Sequence, residues 1–199
     1  MIKVLLPIPR EVIVAFSGGV DSAAVVDFLS NNHDVTCAFF NHGTVASAKA
    51  HEFVTKFCNE RNIPLKIGYI SNKEKPKQKS WEEHWRDERY EWLDSLGENV
   101  ITAHHLNDCV EAWIFSTMHG MPKLIPFSRK KVLRPFLSTP KSEFLSWCQR
   151  KNVPWIEDES NKDTKYIRNY IRHNVVHHAM HINPGLDTYL KKMIETRAK

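Results

Sequence analysis

The sequence predicts an α/β fold, with a parallel sheet of five strands covered by helices on both faces and further helices at the C-terminal end. Two observations carry this reading. β-Branched, apolar runs recur at Val12 to Phe16, Asp34 to Phe40, Pro64 to Ile70 and Asn99 to Thr102, and each is followed by a segment long and periodic enough for a helix. Repeated β-α alternation favours parallel strands joined by helical crossovers, with ligands at the carboxyl ends of the strands.

The helices are expected near 20–31, 46–61, 80–96 and 106–119. Ser80-Trp81-Glu82-Glu83 has capping-box spacing, and Thr139-Pro140 puts a proline at a first helical position. Between these starts, Met121 to Arg134 holds two prolines and a Ser-Arg-Lys-Lys cluster, which reads as a long connection or a short hairpin before a final strand at Val132 to Phe136. Lysines alternate with other residues from Lys73 to Ser80, a mobile surface loop with almost nothing to bury. Trp81, Trp85 and Trp92, at near-helical spacing, are read as packing residues.

With 199 residues, 42% of them hydrophobic and 26% charged, the chain has material for one substantial core. No apolar run approaches the roughly 18 residues of a membrane span, and the start is too short and proline-broken for a signal peptide, so a soluble, cytoplasmic protein without membrane contact is expected. Cys37, Cys58, Cys109 and Cys148 form no C-x-x-C pair, which argues against a zinc ribbon, an iron-sulfur site and a secreted disulfide framework. The net charge of +5 is uneven: residues 101–199 carry 16 Lys and Arg against 9 Asp and Glu. Such a half is either a phosphate-binding face or an ordinary solvated surface.

The first strand runs into Ser17-Gly18-Gly19-Val20-Asp21-Ser22. Two glycines remove Cβ atoms where the chain turns into a helix, so backbone amides and the positive helix end can approach an anion. The spacing is neither a Walker A loop nor G-x-G-x-x-G. Ser17 and Ser22 supply hydroxyls, and Asp21, which would repel a bare phosphate, suggests Mg²⁺ or an ordered hydrogen-bond network. The stretch resembles the Ser-Gly-Gly-x-Asp-Ser signature of the PP-loop ATP pyrophosphatases, which have an adenine nucleotide alpha hydrolase-like, Rossmann-like fold. The resemblance implies ATP cleavage between the α- and β-phosphates, with AMP transferred to a carbonyl oxygen.

A second constellation follows the fourth strand: Thr102-Ala-His-His-Leu-Asn-Asp-Cys-Val-Glu. Asp108 and Glu111 share a helix face, and with His105 they suit a metal, a cationic amine or mutual control of protonation. A polar helix start is the plain alternative. This segment resembles the A-H-H-x-D-D-x-x-E-T block of tRNA(Ile)-lysidine synthetases. Glu82-x-x-x-Arg86-x-x-Arg89-Tyr90, Arg134-Pro135-Phe136-Leu137, Pro154-Trp155-Ile156-Glu157-Asp158-Glu159-Ser160-Asn161 and Arg168-Asn169-Tyr170-Ile171-Arg172 resemble further blocks of that family, in order. The departures are Asn41, Thr44 and Val45 in its D-H-G-L-R block, Asn107 for an aspartate, and His119 for an arginine.

The family resemblance implies adenylation at C2 of cytidine 34 in the CAU anticodon of a tRNA(Ile), then ligation of free lysine to give lysidine, using ATP and Mg²⁺. It assigns the nucleotide cradle to Ser17, Gly18, Gly19, Val20, Asp21 and Ser22 with His42 and His105. Asp21, Asp108 and Glu111 become the catalytic candidates, Asp21 and Asp108 the metal contacts. Arg86, Arg89, Arg168, Asn169 and Arg172 become the contacts to tRNA or to the lysine carboxylate, the alternative for the arginines being structural ion pairs with residues such as Glu82 or Asp158. The expected layout is a catalytic domain over 1–137 and a helical extension over 138–199, without the appended tRNA-binding domains of many relatives. A homodimer or the basic tail would supply the missing surface, or the substrate is an unusual tRNA that needs less discrimination. Rival readings are another PP-loop enzyme, such as a tRNA thiolase or an amide-forming ligase, and a catalytically silent RNA-binding relative. The run His173, His177, His178 and His181 reads as a polar helix without metal.

Overall fold

The computed structural model describes residues 1–72, 74–97, 99–157 and 163–198. Strands β1 (Glu11–Ala15), β2 (Asp34–Asn41), β3 (Leu65–Tyr69) and β4 (Val100–Ile101) alternate with helices α1 (Val20–Ser30), α2 (Val45–Glu60), α3 (Trp81–Ser95) and α4 (Leu106–Met118). A hairpin of β5 (Ser128–Arg129) and β6 (Val132–Leu133) follows, then α5 (Lys141–Lys151). The sheet order is β3-β2-β1-β4-β6-β5, parallel throughout except for β5, which runs antiparallel to β6.

The five expected parallel strands are therefore present, with a sixth at the edge. The hairpin was one of two readings of the 121–134 connection, and β5 is two exposed residues with no apolar period to announce it. The order reverses between β1 and β4, so the chain segments leaving these two strands diverge and open a crevice at the sheet's carboxyl edge.

Period-two patterning splits the core. Val12, Val14 and Phe16 face a cluster with Val25 and Val26 of α1, Phe57 of α2, Phe144 of α5 and Phe136 from the segment between β6 and α5. Ile13 faces the opposite side, with Tyr90 and Leu93 of α3 and Val100 and Val132. The Ser80 capping box forms as expected: Ser80 Oγ accepts from Glu83 N, and Glu83 accepts from Ser80 N. Pro140 sits one place earlier than expected, at the N-cap of α5, where Asn107 Oδ1 accepts the Lys141 amide at 2.9 Å.

Trp92 packs, as expected, with its ring directly over Gly68 of β3: a Cβ at Gly68 would lie 2.3 Å from Trp92. Gly68→Ala is expected to destabilise the fold by about 1–3 kcal/mol through overpacking. A urea midpoint equal to that of the parent would contradict this contact.

The C-terminal part continues α6 (Ile167–Tyr170), one π-helical segment (Ile171–Val175) and α7 (Val176–Ile182) without a break, followed by α8 (Leu186–Arg197). Ile171, Leu186 and Leu190 pack with Val110 and Ile114 of α4. This packing brings residues near 170 back to the helix that follows β4. Among the described residues no helix is long and apolar enough to cross a membrane.

Candidate active site

The loop after β1 is tied down by its own serines. Ser22 Oγ donates to Gly19 O at 2.9 Å and accepts from Ser17 N at 3.2 Å, while Ser17 Oγ accepts from Gly19 N at 3.4 Å. Gly18 has φ +85°, and a Cβ there would press within 3.1 Å of Phe53 and 3.2 Å of Ile156. Ile156 N also donates to Gly18 O at 2.9 Å, so the Pro154–Glu157 segment clamps the loop. Residues Asp158 to Asn161 of the same block lie outside the described residues. No side chain caps the first turn of α1, so Val20 and Asp21 offer an uncapped helix start to an oxygen anion.

At the start of α4, His105 and Asp108 form a reciprocal cap. Asp108 Oδ2 accepts from His105 N at 3.0 Å, and His105 Nδ1 accepts from Asp108 N at 3.2 Å. In the neutral ring the proton is then on Nε2, which faces Asp21 Oδ2 at 3.5 Å. Burial opposes a charged imidazole here, but Asp108 and Asp21 outweigh it and the His105 pKa is raised. Burial likewise opposes the Asp108 carboxylate, yet His105, His104 and Arg168 hold its pKa well below the usual range.

The structure joins three further candidates, Glu111, Arg168 and Arg172, to Asp108 in one network. Arg168 Nη2 donates to Asp108 Oδ1 at 3.0 Å and its Nε to Glu111 Oε2 at 3.3 Å. Arg172 is bidentate on Glu111, with Nε to Oε1 at 2.6 Å and Nη2 to Oε2 at 3.0 Å. Arg172 lies in the π-helical segment, whose extra residue per turn helps set which side chains face α4. Asp21, His105, Asp108, Glu111, Arg168 and Arg172 thus form one continuous chain of contacts across the crevice between β1 and β4.

The other candidates fall around this chain. His42 follows β2, and burial and the field of Arg89 lower its pKa to about 4. Arg86 and Arg89 lie over the Tyr90 ring at 5.5 and 5.7 Å, with Arg129 and Arg134 on the same ring. Neither Arg86 nor Arg89 pairs with Glu82, and Asp158 lies outside the described residues. Asn169 Nδ2 donates to Asp163 O at 3.0 Å. Several departures have structural roles: Asn41 Oδ1 accepts from Gly43 N and Ser47 Oγ, Thr44 caps α2, and Asn107 caps α5.

Sequence reasoning missed Lys141, whose Nζ lies 3.7 Å from Asp21 Oδ2, because its helix start is 120 positions from the loop it faces. It also passed over His104, whose pKa burial lowers to about 3, and the buried Arg134, which donates to Tyr90 Oη and Pro126 O. His42 and His104 stay neutral in the fold while their unfolded counterparts take up protons below about pH 6.5. The unfolded state then binds more protons, so stability falls as pH drops from 6.5 towards 4 and 3. The expected loss between pH 7 and 5 is about 1 kcal/mol per histidine, allowing for partial exposure. His105, with its raised pKa, acts in the opposite sense, so the check is made by difference: the pH dependence of the urea midpoint should be smaller in His42→Gln than in the parent, and an equal dependence would rule it out.

A protein-family comparison matches residues 4–179 to the PP-loop domain. The chain belongs to the PP-loop family. The Ser17–Ser22 loop lies within the matched region. The tRNA(Ile)-lysidine synthase of Thermotoga sp. (strain RQ2) is 31% identical over 202 residues, covering 93% of this chain and 49% of that protein. The tRNA(Ile)-lysidine synthase of Staphylococcus aureus (strain N315) is 31% identical over 186 residues, 83% of this chain and 43% of that one. The chain spans about half the length of these curated relatives. Among solved structures, the NH3-dependent NAD synthetase from Campylobacter jejuni aligns with a TM-score of 0.57 at 16% identity, over 94% of this chain and 78% of that one, a likeness of fold.

Proposed function

We propose that this PP-loop chain catalyses the ATP-dependent modification of a tRNA(Ile) with a CAU anticodon. Cytidine 34 O2 attacks the α-phosphorus of ATP and pyrophosphate leaves. The ε-amine of L-lysine then attacks C2, the C2–O bond to AMP breaks, and lysidine results. The observation that carries the reading is the Asp108–Glu111–Arg168–Arg172 network, linked through His105 to Asp21 of the nucleotide loop. The network offers both carboxylates and guanidinium groups, the two partners that the ammonium and carboxylate of lysine require. The relatives named as tRNA(Ile)-lysidine synthases support the same substrate.

Within this reading Ser17 to Ser22 cradle the phosphates, and His42 and His105 line the nucleotide side. Arg168 and Arg172 receive the lysine carboxylate, and Glu111 takes the proton from the attacking amine. Asp21 fits Mg²⁺, since its Oδ1 is buried without a hydrogen-bond partner and magnesium commonly takes one or two carboxylates plus substrate phosphates. Bound there, the ion would offset charge on the departing pyrophosphate. Asp108 joins as a metal contact only by exchanging Arg168, which already occupies Oδ1. The test is incubation with a tRNA pool, ATP, Mg²⁺ and isotopically labelled lysine, followed by nucleoside mass spectrometry. Lysidine is expected, and no incorporation into any tRNA despite ATP binding would defeat the assignment.

A further inference from the structure

The three tryptophans of α3 do not share one fate. Trp92 is spent on the sheet, over Gly68. Trp81 stays 43% exposed, with its ring centroid 5.7 Å from that of Trp85, and Trp85 is 5.9 Å from His42. The three rings form a row from the surface to the residue that follows β2, at the carboxyl edge where the nucleotide loop also lies. Tryptophan is highly buried on average, so an exposed ring continued inward by two more is unusual for packing alone.

Two guanidinium groups stand beside the row. On α3, Trp81, Trp85 and Arg89 recur at i, i+4, i+8 and share a face, with Arg86 flanking it. Of the acids on α3, Asp87 is paired with Lys79 at 2.6 Å, while Glu83 and Glu88 accept from Ser80 and Ser71 and keep their charge, as do Glu82 and Glu91 on the same helix. Among the described residues Arg86 and Arg89 are in no ion pair, their contacts being to the Tyr90 ring. Flat aromatic surface beside guanidinium groups free of ion pairs is how proteins hold unpaired bases with their phosphates, because every base has a π-face and every linkage an anion.

We propose that Trp81 and Trp85, with His42 at the inner end and Arg86 and Arg89 alongside, form a stacking platform for an unpaired base of the RNA. The inference rests on the proposed function for the identity of that RNA as an anticodon loop. It goes beyond it by giving Trp81 and Trp85 a role in seating a loop base next to the crevice. The phosphates of that loop would meet Arg86 and Arg89.

The test is a tryptophan-fluorescence titration of the full chain with a CAU anticodon stem-loop RNA, and with a fully paired duplex of similar length, in the absence of ATP and lysine. Quenching by the stem-loop is expected. Trp81→Ala should weaken stem-loop binding about tenfold, read by filter binding, whereas Trp81→Phe should stay within about threefold of the parent. Binding of the duplex and of ATP should not change with either variant. The proposal is overturned if the parent does not bind the stem-loop, if Trp81→Ala binds like the parent, if Trp81→Phe is as weak as Trp81→Ala, or if the duplex shows the same loss. Stem-loop binding that depends on Trp81, in a protein that makes no lysidine, would sink the lysidine reading and leave the platform standing. Lysidine formation with a tRNA KM indifferent to Trp81→Ala would do the reverse.

Discussion

Asp21→Ala is expected to lower pyrophosphate release, measured with ATP, Mg²⁺, lysine and tRNA, by at least about a hundredfold. One oxygen of Asp21 is buried without a partner, and the other faces His105 and Lys141. Removing the carboxylate would take away the proposed magnesium contact, and it breaks the link between the Ser17–Ser22 loop and the start of α4. Little stability should be lost, since the side chain is 27% exposed and an acid in a first helical turn contributes only about 0.3–1 kcal/mol. Asp21→Asn keeps the shape and should be nearly as inactive. Full activity in either variant would remove Asp21 from the mechanism.

Glu111→Gln should damage stability and turnover together. Glu111 is 5% exposed and accepts from both Arg168 and Arg172, so the amide leaves two guanidinium groups facing Asp108 alone. Breaking a fully buried pair costs about 3–5 kcal/mol, but the arginine side chains are 37% and 28% exposed, so about 2 kcal/mol is expected in urea unfolding. Lysine-dependent turnover should fall by about a hundredfold. Combining Glu111→Gln with Arg172→Gln should cost less than the sum of the single changes, because each alone strands a charge. Strict additivity would show that the two groups do not act as a pair.

The sheet and its crossovers were legible because they are written in local chemistry. Val12 to Phe16 alternates into two cores, Ser80 and Glu83 cap each other, and Gly18 needs its positive φ. The partners within the site were not. Glu111 meets Arg172 across 61 positions, and Lys141 meets Asp21 across 120, contacts that follow from how helices stack rather than from any period in the chain. The π-helical segment carrying Arg172 has no composition to distinguish it from an ordinary turn. Trp81, Trp85 and Trp92 show the same limit. Their spacing placed them on one helix, but only the glycine opposite Trp92 decides which of them is covered.

The pairing of two acids with two guanidinium groups gives the crevice a further property. Because Asp108 and Glu111 already hold Arg168 and Arg172, an ammonium group approaching these two acids would have to displace a resident cation. Entry is therefore ion exchange, nearly balanced in Coulomb energy. A bare amine gains little, since it offers the dislodged guanidinium nothing, whereas a ligand with its own carboxylate at the right distance re-pairs it. On the proposed reading, selectivity would come from the separation between two opposite charges on one small molecule, read by a site that carries its own surrogate until that molecule arrives.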